Sequence, residues 1–147
     1  MTASEAIKLQ AKLLEWEALK ACATNLMCYK CFDDVWLTNG VVIARISAGL
    51  NKLNVPERTS IEKYTTLPEN AAKAWLTSYT WFDEELGTCV MIKADNNTTW
   101  ARKKYIKLFG KAEYDLYVSS DCKTLWLTET DTRKVIGAIA TVRGIKI

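Results

Sequence analysis

Three groups of side chains have types and spacings that could do chemistry. The first is Cys28-Tyr-Lys-Cys31, a CxxC, with Cys22 six residues earlier. Structural zinc takes four Cys or His ligands. Here Cys89 and Cys122 stand isolated, and the chain has no histidine. A thioredoxin-like use would set the motif between a strand and a helix of a βαβ unit, which this stretch does not offer. Ordinary buried thiols and no metal are expected. The second group is carboxylate: Asp33/Asp34, beside a strand-like run, and Asp83/Glu84/Glu85, in a turn. Without histidine, and without a G-x-S-x-G, phosphate-loop or dinucleotide fingerprint, such pairs read as solvated turns. No catalytic residue and no cofactor are expected. The third group is basic and aromatic: Trp100, Arg102, Lys103, Tyr105, Lys107 and Lys111. On a helix, Lys103, Lys107 and Lys111 fall at i, i+4 and i+8, a stripe that could meet phosphates.

The elements that must position these groups follow from pattern and punctuation. Asp95-Asn-Asn-Thr98 supplies N-cap residue types, so a helix is expected over 99–109, stopped by Gly110. Strand-like runs are expected at 88–94, 112–118, 124–129 and 134–142. Asn39-Gly40 between Asp34–Thr38 and Val41–Ile46 signals a two-residue type I′ hairpin. Thr2 and Glu5 form a capping box for a long helix over 3–23, apolar around most of its circumference. That breadth calls for burial on more than one side, inside the monomer or in a homo-oligomer. Residues 59–64 read as a short strand. Pro68 opens a helix to about 78, and 79–83 is extended and turns back into 88–94.

Composition bounds the class. The chain of 147 residues is 49% hydrophobic and 25% charged, which suits one domain over 1–147 with a real core. The absence of a signal-like start or a membrane-length apolar run, with five irregular cysteines, sets the expectation of a cytoplasmic protein with no membrane partner. Charge is uneven. Residues 1–97 carry 10 Lys+Arg against 12 Asp+Glu (−2), and residues 98–147 carry 10 against 5 (+5). An anionic partner would meet the C-terminal part. The expected fold class is α+β: antiparallel sheet, a long N-terminal helix, and the basic helix packed on one face.

The order strand 88–94, helix 99–109, then three strands resembles the β-α-β-β-β repeat of DNA sliding clamps. The wording Trp100-Ala-Arg-Lys-Lys-Tyr-Ile-Lys-Leu-Phe109, Tyr117-Val-Ser-Ser-Asp121 and Val135-Ile-Gly-Ala-Ile-Ala-Thr-Val-Arg143 resembles small clamp-like proteins of phages and mobile elements. The resemblance spans roughly the last 60 residues and implies a pair of such halves.

These features favour a non-enzymatic binding protein. It would contact a host protein or nucleoprotein complex stoichiometrically, as an inhibitor of a nucleic-acid-handling or defence machine in the host cytoplasm. Six tryptophans and six tyrosines supply hot-spot material. Asp83, Glu84 and Glu85 would form an acidic part of the contact surface. The alternative is a clamp-like DNA-associated protein gripping nucleic acid through the 102–111 stripe, with Trp100 or Tyr105 stacking on bases. A nucleotide-sequestering protein is a further alternative.

Overall fold

The computed structural model describes residues 27–32, 34–46, 56–95, 97–109 and 114–142. The expected helix 3–23, Gly110 and Lys111 lie outside them. The described strands are β1 (Met27–Cys31), β2 (Asp34–Thr38), β3 (Val42–Ile46), β4 (Ala72–Asp83), β5 (Gly87–Ala94), β6 (Asn97–Arg102), β7 (Tyr114–Val118), β8 (Thr124–Glu129) and β9 (Val135–Ala140). They form one antiparallel sheet in the order β1-β2-β3-β9-β8-β7-β4-β5-β6. The helical elements are a 3₁₀ turn at Thr59–Ile61, the four-residue α1 (Glu62–Thr65) and the six-residue α2 (Lys103–Leu108).

The sheet does not lie open. Val142, just past β9, donates its N–H to the carbonyl of Trp100 in β6 at 2.7 Å. The strands from β9 round to β6 therefore curl back on themselves, while β3, β2 and β1 continue off β9. The hydroxyls of Thr99 and Thr141 both donate to the carbonyl of Cys122 at this seam.

Period-two alternation explains the interior. Leu116 and Val118 of β7, Leu125 and Leu127 of β8, and Val90 and Ile92 of β5 point inward. Tyr105, Ile106 and Phe109, on and just after α2, pack onto them. The intervening Tyr117 and Trp126 face the opposite way, beside Trp36, Ile43 and Ala138. Ile61 covers that second face, and the Trp126 Nε1–H donates to the Tyr64 carbonyl at 3.2 Å. A smaller cluster, Cys89, Met91 and Trp100, lies on the far side of β5 and β6.

The expectation of an α+β domain with helices on one face is overturned: the described chain is an antiparallel sheet with one helix of six residues and one of four. Of the expected basic helix over 99–109, residues 99–102 belong to β6, and only 103–108 are helical. Asp95, at φ +20, follows β5, and Asn97 opens β6 opposite Ala94, so the expected helix cap is a strand-to-strand connection. The expected helix over 68–78 is mostly β4, and the expected strand over 59–64 is the 3₁₀ turn running into α1. The paired clamp-like halves fail with these changes. An additional strand, β6, precedes α2, and β4 separates β7 from β5.

Other expectations hold. The strands at 88–94, 112–118, 124–129 and 134–142 correspond to β5, β7, β8 and β9. The hairpin at Asn39-Gly40 forms, but its central pair is Gly40-Val41, with a left-handed φ of +92 at Gly40 alone. That is the II′ pattern, not I′. Asn39 stays outside the pair because its Oδ1 accepts from the N–H groups of Val41 and Val42, at 2.9 and 3.0 Å.

A part-buried ion pair ties β3 to the end of β8. Arg45, 8% exposed, donates through Nη2 to Glu129, whose other carboxylate oxygen accepts from Thr132 at 2.6 Å. The Thr132 hydroxyl, and then Arg45, hold the Glu129 carboxyl below its usual range against the opposing effect of burial. A lowered folded pKa contributes stability above the ordinary Glu value of about 4.3 and loses it as pH falls through the folded value. Wild type should therefore be more stable than Glu129→Gln at neutral pH, and the gap should close in acid. Urea midpoints of both proteins from neutrality down to about pH 3 measure this. A gap independent of pH would contradict it.

Candidate functional site

The sequence-predicted site residues separate by burial. Trp100 is 6% exposed and Tyr105 is 2% exposed, so neither presents a ring for base stacking. Trp100 lies in β6 against Cys89 and Met91, and Tyr105 points into the main core. Arg102 is half-buried, with its guanidinium 5.6 Å from the Tyr105 ring centre and Nη1 3.4 Å from the Tyr105 hydroxyl. Lys103 and Lys107 remain exposed, one turn apart on α2.

Those lysines do not stand alone. With Lys104 they line one side of a groove of about 490 Å³, and Glu84, Glu85 and Phe82 line the other. The fold thus joins two clusters that the sequence keeps about twenty residues apart. Opposite charges in one groove weaken the field a polyanion would feel, even at this short range. Asp83 is bound into the turn: its Oδ1 accepts from the N–H groups of Glu85 and Leu86, at 2.8 and 2.9 Å. The turn closes through Gly87 at φ +77.

Of the CxxC, Cys31 is buried on β1 facing Trp36 and Ile61, and burial pushes its thiol pKa up. Burial does the same to Cys89. A raised pKa leaves less thiolate, the form that attacks disulfides and binds metal. Among the described residues no cluster of His, Cys, Asp or Glu could hold a metal ion.

The surface that sequence reasoning missed is β4. Seven large hydrophobic side chains are exposed among the described residues, and five belong to this one strand: Trp75, Leu76, Tyr79, Trp81 and Phe82. Tyr79 and Phe82 are 66% and 68% exposed. The placement follows from pairing. β4 pairs with β5 along most of its length, but with β7 only at Ala72, Lys73 and Ala74. Past Ala74 it pairs on one side alone among the described residues. A bulge between Leu76 and Thr80 kinks the strand, and the Thr77 hydroxyl donates to the Met91 carbonyl there at 2.9 Å. The run 75–82, Trp-Leu-Thr-Ser-Tyr-Thr-Trp-Phe, contains no charge, glycine or proline, and is bounded by Lys73 and by Asp83-Glu84-Glu85. The signal that could have found it is the two-residue spacing of Trp75, Thr77, Tyr79 and Trp81.

Comparison of the chain with protein-family models, with curated proteins and with solved structures finds no match.

Proposed function

We propose that this chain is a cytoplasmic binding protein that acts by stoichiometric contact with a partner protein, through the outer part of β4. The observation that carries the proposal is the concentration of exposed aromatic side chains on a strand with one edge unpaired among the described residues. Exposed apolar patches mark contact surfaces, and Trp and Tyr dominate the energetics of such surfaces. An edge of this kind accepts an extended segment by strand addition. The bulge at 77–79 keeps the edge from being a flat, indiscriminate template.

The partner segment has a definable chemistry. It is extended and apolar opposite 75–82, with basic residues where it passes Asp83, Glu84 and Glu85. Among the described residues no helix is long and apolar enough to cross a membrane. Among the described residues of its predicted set, the nucleic-acid alternative has only Lys103 and Lys107 in exposed positions, and Glu84 and Glu85 share their groove.

The test begins with a photo-cross-linking residue at position 79 and, as a control, at the exposed position 131. A partner captured from 79 alone is then purified and titrated against wild type and against Trp75→Lys/Phe82→Lys. Expected are a one-to-one complex and a loss of about a hundredfold or more in the double variant, from two hot-spot aromatics. Equal binding by the double variant, or capture from 131 instead of 79, would refute the assignment.

A further inference from the structure

A second site is built from elements other than β4. A cleft of about 270 Å³ opens between β2 and β3, the β8–β9 turn and the end of α1. Arg45, Arg133 and Lys134 converge on it, opposed by Asp34, and Trp36 and Thr65 complete the part that concerns ligand chemistry. Three cations against one carboxylate leave the lining positive, although Arg45 also serves Glu129.

Two observations set this cleft apart from a solvated basic surface. Trp36 is 3% exposed, and its Nε1–H is buried without a hydrogen-bond acceptor among the described residues. A buried indole N–H normally has a partner, so an orphan donor beside a cationic cleft calls for an acceptor. Arg133 also adopts φ +60, a left-handed backbone that disfavours residues with a Cβ. The turn enforces it. The Glu129 N–H donates to the Lys134 carbonyl at 2.8 Å, and the Arg133 N–H donates to the Glu129 carbonyl at 3.0 Å. The Arg133 guanidinium is then 5.1 Å from the centre of the Tyr117 ring. Both arginines are held by other contacts before any ligand arrives, which lowers the ordering cost of binding.

We infer that this cleft binds the phosphate group of a small phosphate monoester. The Arg133 guanidinium offers planar, paired donors suited to phosphate oxygens, and Lys134 adds a point charge. Trp36 supplies a neutral indole N–H. The volume suits a phosphate with a few attached atoms and not a whole dinucleotide. No covalent step is involved, and the site is independent of β4.

The indole N–H region of a ¹H–¹⁵N correlation spectrum tests this directly, since it reports the six tryptophans separately. The Trp36 peak is assigned from Trp36→Phe or, should that variant not fold, by backbone-linked assignment. Inorganic phosphate and ribose 5-phosphate are titrated in at fixed pH and fixed ionic strength, with sodium chloride as the control. The Trp36 peak should move saturably with both phosphates. Replacing two exposed side chains in Arg133→Ala/Lys134→Ala should weaken both titrations about tenfold or more. A peak that follows chloride equally, fails to saturate, or responds identically in the double variant would overturn the inference.

Discussion

Gly137→Ala should destabilise the protein by about 2–3 kcal/mol, a large effect for one methyl group. Gly137 lies within β9, opposite Ala44 of β3 on one side and Leu127 of β8 on the other. Its φ is not left-handed, so conformational freedom is not what it supplies. A Cβ built there would come within 2.2 and 2.3 Å of two Phe109 ring carbons and 2.8 Å of the Ile43 carbonyl oxygen. The ring belongs to a residue that is itself 7% exposed, and the carbonyl is part of the ladder, so neither yields easily. Equilibrium unfolding in urea measures the loss. The double variant Gly137→Ala/Phe109→Leu identifies its cause. If the clash with the ring dominates, the second substitution should cost less in the Gly137→Ala background than in wild type, giving a coupling energy of about 1 kcal/mol or more. An unchanged midpoint in Gly137→Ala would show that the aromatic contact is not close-packed.

Tyr105→Ala should cost about 3–5 kcal/mol, which approaches the whole stability of a marginal domain. The reason is placement. Tyr105 stands among the largest fully buried side chains, facing the interior lined by β5, β7 and β8. Tyr105→Phe keeps that volume and should cost about 1 kcal/mol or less, since the hydroxyl's contact with Arg102 is long at 3.4 Å. By contrast, Lys103→Glu/Lys107→Glu on the same helix should leave stability within about 0.5 kcal/mol per substitution. Thermal midpoints of the three proteins separate these cases. A tolerated Tyr105→Ala would mean that α2 can leave the sheet without disturbing it, and the buried assignment of this helix would be wrong.

That contrast also shows how far the sequence could be read. The strands from Tyr114 onward were legible because Leu116/Val118 and Leu125/Leu127 alternate cleanly between turn residues. The hairpin at Asn39-Gly40 was legible because few two-residue segments turn a chain so strongly. Elsewhere the local signals have two meanings. Asp95-Asn-Asn serves equally as a helix N-cap and as a tight turn, and the sheet decided for a strand-to-strand connection. Pro68, with Ala71, Ala72 and Ala74 after it, reads as a helix start. Pairing with β5 and β7 overrides that propensity, as tertiary context often does. Misreading 68–78 cut β4 in two and hid the aromatic run across 75–82. The basic stripe was visible as composition, but which of its aromatics are buried depends on α2 lying against the sheet. The meeting of Lys103 and Lys107 with Glu84 and Glu85 depends on chain reversal through β5 and β6, which spacing alone does not encode. The cleft at Trp36 gathers residues from β2, β3, α1 and the β8–β9 turn, a juxtaposition that only the folded sheet makes.

The place of β9 between β3 and β8 has a kinetic consequence. β8 and β9 are joined by a short turn and can zip locally. β3 meets β9 only after some ninety residues of intervening chain are brought into order, with Val42 opposite Ile139 and Ala44 opposite Gly137. The seam at Trp100 and Val142 spans a further long loop. Closing such loops loses chain entropy before the contacts that reward it exist. Folding is therefore expected to belong to the slow, non-local class, on the order of milliseconds to seconds, with the β3–β9 junction forming late. Until it forms, the facing edges of β3 and β9 are open, and that interval is when the chain is most exposed to mispairing with other copies.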